Sequence, residues 1–399
     1  MRPSAQDAHR AVRVELADIV RAHAPALLAS TRLAGVQYRA LRAIERCPTA
    51  ALGGQISRCD RCGETHYVYH SCRNRHCPKC QTLAKERWLA ARRAELLPVA
   101  YFHLVFTLPH ELNPLAQGNP RLIYELLFAS ASATLLEFGR NPRWAGGEIA
   151  ATLVLHTWGQ TLTQHLHVHA LVASGALGAD GQWVAPRRGF LFPVKALSKV
   201  FRGKFLAALS RAFAQDRLRV KGSTAALAEP SARRGLLATL RAKPWVVYAK
   251  HSLTGPEQVL EYLGRYVQRV AISNERLLGL DEGSVRFAWR DRAQRNRRKT
   301  MRLAAGQFLE RFLLHVLPQG FMRIRHYGLL ANRHKRNRLA QARAALNTHA
   351  PAPVPLESVA AFCQRVLQID IHRCPACRIG RLHLIGTLAP QLAHRARPP

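Results

Sequence analysis

Three groups of residues in this 399-residue chain are of types, and at spacings, that can do chemistry. Cys59-x-x-Cys62 and Cys77-x-x-Cys80, fourteen residues apart, form two knuckles that can close a tetrahedral thiolate site. Such a site is closed, so its zinc (Zn2+) would be structural. Cys72, His66, His70 and His76 lie in the same Cys/His-rich stretch and are candidate substitutes for one ligand. Cys374-Pro-Ala-Cys377 is half of a similar site, with Cys363, His372 and His383 as candidate partners, or it binds no metal.

The second group is His165-Leu166-His167-Val168-His169. In a strand this alternation puts all three imidazoles on one face and Leu166 and Val168 on the other. Ligands at i and i+2 lie about 6.5–7 Å apart at Cα, within reach of one ion, whereas i and i+4 lie about 13 Å apart. One adjacent pair is therefore the chelate this spacing allows. The third group is Tyr262 and Tyr266, at i and i+4 of PEQVLEYLGRYVQRV, whose helical period puts both hydroxyls on one face about 6 Å apart. A phenol, with a pKa of about 10, is a poor nucleophile at neutral pH, but a divalent ion polarising a phosphodiester reduces what the phenol must supply. The product would be a phosphotyrosine ester, whose religation needs no ATP, and the chain has no GxxxxGK[ST] loop to cradle a triphosphate.

These groups need elements to hold them. The first fifty or so residues read as helical, and Cys47 to Cys80 as a Cys/His-rich ribbon. YFHLVFTLP has the content of a buried strand stopped by Pro109, a helix follows from about Arg121 to Phe138, and ATLVLHTW and HLHVHALVA read as an antiparallel strand pair joined by a short turn. VRFAWRDRAQRNRRKTMRL reads as a strand running into a basic loop or turn. APAPVPL is a Pro-rich linker. The expected division is residues 1–96 (helices and zinc ribbon), 97–345 (catalytic domain) and 346–399 (linker and small Cys-containing tail), in an α+β class.

Composition names the partner class. Sixty Lys and Arg against 24 Asp and Glu leave a formal charge of +36, while 48% hydrophobic residues suffice for a core. A folded chain this basic collects polyanions, nucleic acid foremost. Arg295, Arg297, Arg298 and Lys299, and further on Arg333, Lys335 and Arg336, stand in the densest basic clusters and are the candidate DNA-binding residues. Phe287, Trp289, Phe321 and Tyr327, interleaved with them, are candidates for base stacking or for the core. The Leu126–Leu136 run is too short to span a bilayer, and the first twenty residues lack the apolar stretch of a signal peptide, so the expectation is a cytoplasmic protein without a membrane partner.

With these residues in view, the chain resembles the transposases of insertion-sequence family ninety-one, which belong to the HUH (His-hydrophobic-His) single-strand endonucleases. The resemblance covers most of the chain and rests on SCRNRHCPKCQ, HLHVHALV followed by SGAL, YLGRYVQRVAISN, and HVLPQGFMRIRHYGLLANRHK. It implies a central antiparallel sheet with the histidine pair on a middle strand and the tyrosine helix beside it. It implies His167 and His169 as the pair that holds Mg2+ or Mn2+, with a third ligand from among Gln164, His165 and Gln268, and Tyr262 and Tyr266 as the two nucleophiles of a rolling-circle-like transfer of single-stranded element ends. Leu166 stands where the family more often has Pro. Two alternatives stay open: a zinc-ribbon DNA-binding protein without chemistry, and a replication initiator or relaxase with the same chemistry. A transposase built on a carboxylate triad fits less well with so few acids.

Overall fold

In the computed structural model the backbone is described for residues 14–186, 192–253, 258–259, 264, 271–291, 293–352 and 357–391. Among these the strands run, in chain order, β1 (Gly54–Cys59), β2 (Thr65–Tyr69), β3 (Tyr101–Thr107), β4 (Ala150–Trp158), β5 (Gln164–Ala173), β6 (Ala176–Leu177), β7 (Trp183–Val184), β8 (Val247–Leu253), β9 (Leu277–Asp281), β10 (Ser284–Asp291), β11 (Arg297–Ala304), β12 (Ile324–Gly328) and β13 (Leu382–Leu388). They are distributed over two compact units. One gathers Met1–Arg87, Gln268–Val316 and Val354–Pro399, and the other Trp88–Val267 and Leu317–Pro353.

The second unit is built on a five-stranded antiparallel sheet in the order β12-β4-β5-β3-β8. Period-two alternation gives the sheet two unlike faces. Leu153 and Leu155 of β4, Leu166, Val168, Ala170 and Val172 of β5, and Phe106 of β3 point into the main core, against the Pro120–Arg140 and Val194–Ala214 helices. There Phe106 meets Phe201 edge-on at 5.1 Å between ring centroids, and truncating such a side chain to Ala costs about 3–5 kcal/mol. The Pro120–Arg140 helix has the length and apolar content to cross a bilayer, yet it is a core helix, with Ile123, Leu127, Ala131 and Leu135 all fully buried. The opposite face of the sheet carries a smaller cluster in which Val154 and Leu171 pack with Leu339 and Ala342 of the Lys335–Ala345 helix. The histidines continue that face towards the β4–β5 turn.

In the first unit, the Leu16–Ser30 helix packs on the Gly35–Glu45 and Ala305–Leu313 helices, and Gln37 Nε2 donates to the Leu313 carbonyl at 3.0 Å. Strands β9, β10 and β11 form an antiparallel meander, and Phe287 of β10 packs on Phe308 of the third of these helices. A second sheet has the order β13-β1-β2.

The α+β class and the β4–β5 antiparallel pair agree with expectation, whereas the compact units do not follow the division at residues 96/97 and 345/346. Residues 268–316 group with the N-terminal segment because their helix and hairpin bury Phe287, Phe308 and Phe312 there, and the tail joins the same unit because β13 is an outer strand of the β1–β2 sheet. In the basic stretch after β10, residues 293–296 form a turn, as expected, and it leads into a further strand, β11.

Candidate metal centres and nucleic-acid interface

His167 and His169 stand on the middle strand β5, and Leu166 and Val168, each fully buried, anchor the strand from the other side. The Nε2 atoms of His167 and His169 lie 3.1 Å apart. Each ring is held through its other nitrogen. His167 Nδ1 lies 2.9 Å from the carbonyl oxygen of His165, to which it must donate, so Nε2 carries the lone pair. His169 Nδ1 lies 2.8 Å from Nε2 of His103 on β3, with the two rings stacked 14° from parallel. A metal-ligating histidine is commonly oriented through its second nitrogen in this way.

The third imidazole is His156 of β4, directly opposite His167 in the register; one ring nitrogen from each of His156, His167 and His169 lies within 4.8 Å of the others. Trp158 stacks on His156 at 4.5 Å. All three histidines are buried. Three buried nitrogen donors aimed at one point suit a divalent cation better than they suit one another. His156 was not among the third-ligand candidates. Gln164 is engaged elsewhere, its side-chain oxygen accepting from Gln117 at 2.9 Å and its carbonyl from Asn113 at 3.0 Å, and His165 is exposed and contributes its backbone carbonyl. Gln268, Tyr262 and Tyr266 lie outside the described residues; of the positions around them, Gln258, Val259 and Gly264 are helical.

A register shift hid His156. Trp158 pairs with Gln164, and counting back from there would set His156 against Leu166, on the core face; the shift between His156 and Trp158 sets it against His167 instead. The available signal was a His near the turn end of the partner strand, but its face depended on the bulge.

The cysteines form two clusters, Cys47/Cys72/Cys77/Cys80 and Cys59/Cys62/Cys374/Cys377. The pairing of Cys59-x-x-Cys62 with Cys77-x-x-Cys80 is therefore corrected: each knuckle closes with a different partner. In the first cluster Cys47 and Cys72 each approach Cys80 at 3.5 Å, and Cys77 lies 3.8 Å from Cys47. Sulfurs about 2.3 Å from a tetrahedral zinc stand about 3.8 Å apart, so the cluster has the dimensions of a zinc site. Cys47, just past the second helix, has no Cys-x-x-Cys partner that would mark it as a ligand in the sequence.

The basic candidates divide by environment. Arg295, Arg297 and Arg298 are exposed on the β10–β11 hairpin, and Arg333 and Arg336 are exposed near the start of the Lys335–Ala345 helix. Lys299 pairs with Asp291 at 2.7 Å and lies over the Trp289 ring, and Lys335 is half-buried against Glu95 at 2.5 Å, so both do structural work as well. Arg290 faces Arg298, and Arg286 faces Arg302, across the two strands. Like charges placed so oppose strand pairing, and here Arg286 and Arg302 are offset by Asp281 at 2.7 Å and Glu282 at 3.4 Å. Phe287 and Phe321 are core residues.

The central antiparallel sheet and the thiolate clusters define an α+β protein with a zinc-binding domain, and comparison with known proteins places it among transposases. Residues 19–108 match the family model Zn_Tnp_IS91, "Transposase zinc-binding domain", and residues 150–338 match Y2_Tnp, "Putative transposase". The chain is 46% identical over 373 residues to "Putative transposase y4qJ" of Sinorhizobium fredii (strain NBRC 101917 / NGR234), covering 92% of this chain and 94% of that one. It is 29% identical over 358 residues to "Transposase for insertion sequence element IS801" of Pseudomonas savastanoi pv. phaseolicola, covering 88% of this chain and 84% of the relative. The chain belongs to the IS91 family of transposases.

Proposed function

We propose that the protein cleaves and rejoins single-stranded DNA through a phosphotyrosine intermediate, with a divalent cation held by His156, His167 and His169. The observation that carries the reading is the convergence of these three imidazoles on the middle of the sheet. When bound, the ion would polarise the scissile phosphate and neutralise charge that develops on it. Tyr262 or Tyr266 would supply the nucleophile. The phenolic oxygen forms an ester bond to phosphorus as the bond to the 3′ oxygen breaks, the phenolic proton passes to solvent, and the leaving oxygen takes up a proton to become a 3′ hydroxyl. A second tyrosine would serve the other end or the target, and reversal by a 3′ hydroxyl rejoins the strand. The exposed arginines of the hairpin and of Arg333 and Arg336 would track the phosphates. Such a protein would work in the bacterial cytoplasm, where its DNA is.

An all-imidazole donor set is softer than the oxygen shell that Mg2+ prefers, which favours Mn2+ of the two expected ions. Incubated with single-stranded element ends and Mn2+, the protein should give a denaturation-resistant DNA adduct, with less in Mg2+. Tyr262→Phe/Tyr266→Phe should lose the adduct and His167→Ala/His169→Ala should lose most of it, both retaining DNA binding. Wild-type protein that binds the strands tightly yet forms no adduct would leave a DNA-binding protein without this chemistry.

A further inference from the structure

We propose that Cys59, Cys62, Cys374 and Cys377 hold a second structural zinc ion, shared between the first ribbon strand and the tail, so that the zinc module takes two ions. Neither matched segment reaches Cys374 or Cys377.

The geometry is that of two facing knuckles. Cys59 Sγ lies 3.7 Å from Cys377 Sγ, and Cys62 Sγ lies 3.8 Å from Cys374 Sγ. These are edges of a sulfur tetrahedron around zinc, about 3.8 Å, and far from the roughly 2.05 Å of a disulfide. Each half is built alike. The Cys59 carbonyl accepts from Gly63 N–H at 3.1 Å, and the Cys374 carbonyl accepts from Arg378 N–H at 2.9 Å. The turn residue is left-handed in both, with φ of 72° at Gly63 and 59° at Arg378. Backbone amides point at sulfur, Arg61 N–H at Cys59 and Gly380 N–H at Cys377, at 3.4 and 3.3 Å, as they do where a thiolate needs its charge dispersed.

The surroundings are fitted to that arrangement. A Cβ on Gly380 would stand 2.4 Å from Cys59 Sγ and 2.7 Å from the Asp60 carboxylate, so glycine is required where the tail crosses the first knuckle. Asp60 Oδ1 accepts from Arg381 N–H at 2.8 Å, tying the loop between Cys59 and Cys62 to the strand after Cys377. Strand β13 then pairs along β1, Cys59 opposite Leu382. Cys59 and Cys374 are almost fully buried, and four thiols so close gain their stability from a shared dication.

The test is elemental analysis of the purified full-length protein, expected to give two zinc ions per chain, and one in Cys374→Ser/Cys377→Ser. Should that variant fail to fold, the zinc count and alkylation pattern of the wild-type protein decide the proposal. Under native alkylation Cys374 and Cys377 should be protected together with Cys59 and Cys62, and a zinc chelator should expose all four, while Cys363, which belongs to neither cluster among the described residues, is labelled throughout. One zinc per chain with Cys374 and Cys377 alkylated from the outset would overturn the proposal, as would a second metal that proves to be iron. DNA cleavage is not the readout, so failure here is distinguishable from failure of the transesterase reading.

Discussion

At the scale of single residues, two histidines outside the triad have assigned work. His103 Nε2 engages His169 Nδ1 and so leaves His169 Nε2 turned towards His167. If the proposed site holds Mn2+, His103→Ala should weaken its binding about 10–100-fold by titration calorimetry, as loss of a group that orients a ligating histidine does elsewhere, and His103→Gln should recover part of it. Unchanged affinity in His103→Ala would remove that role. His326 of β12 is a different case. Burial, then the Arg92 and Lys335 charges, pushes its pKa down to about 4. Its Nδ1 faces Thr152 Oγ1 at 2.9 Å and its Nε2 faces the Arg92 guanidinium at 3.0 Å, so a second proton would sit against a cation. The folded value lies below the unfolded one of about 6.5, so the unfolded chain binds more protons between the two. Stability from this group is complete above about pH 6.5 and is lost as pH falls towards 4, by up to about 3 kcal/mol before solvent screening reduces it. His326→Gln should flatten that part of the pH–stability curve in chemical denaturation, and an unchanged curve would assign the acid sensitivity elsewhere.

At the scale of elements, the β10–β11 hairpin joins charge to strain. Arg295 and Asn296 at its tip have φ of 49° and 62°, and the turn is closed by Arg297 N–H donating to the Gln294 carbonyl at 2.9 Å. A left-handed arginine costs of order 1 kcal/mol, and Asn tolerates that conformation better. Arg295→Asn should therefore raise the melting temperature slightly while weakening single-strand binding and reducing the salt slope by about 0.7, whereas Asn296→Gly should stabilise without affecting binding. If Arg295→Asn binds DNA as wild type does, the tip is not part of the interface. The same scale shows how far the sequence could be read. Alternation placed Leu166 and Val168 against the core and His167 and His169 opposite, because period two is local. It could not place His156, whose face is decided by one bulge in the neighbouring strand. Nor could spacing decide which knuckle joins which. Cys59-x-x-Cys62 and Cys77-x-x-Cys80 fit one tetrahedron as well as two on paper, and the choice is made by the pairing of β1 with β13, which brings together Cys62 and Cys374, 312 residues apart. Tyr262 and Tyr266 read as a helical pair from their spacing alone, and both lie outside the described residues.

Across the whole molecule, the charge of +36 is not evenly useful. Part of it is neutralised in ion pairs such as Lys335 with Glu95 and Lys243 with Glu111, and the exposed arginines of the hairpin tip and of Arg333 and Arg336 remain for phosphate. The two units also differ in what they depend on. The sheet that bears the histidines is held by a large apolar core, whereas β1, β2 and β13 have exposed apolar residues, Tyr67, Val68 and Leu384 among them, and stand beside the cysteine clusters. Zinc chelation followed by hydrogen exchange should strip protection from the amides of β1, β2 and β13 while those of β4 and β5 keep theirs. Equal loss in both sheets would mean that zinc supports the entire fold.

The tail strand also orders events in time. Cys374 leaves the ribosome 312 residues after Cys62, which at about 5–20 residues per second is a delay of roughly 15–60 s. During that interval the first knuckle has no partner and β1 lacks one neighbour. Copies of the element cut short by a stop codon before Cys374 would therefore encode chains whose first knuckle stays without its facing one and whose β1 lacks one neighbour.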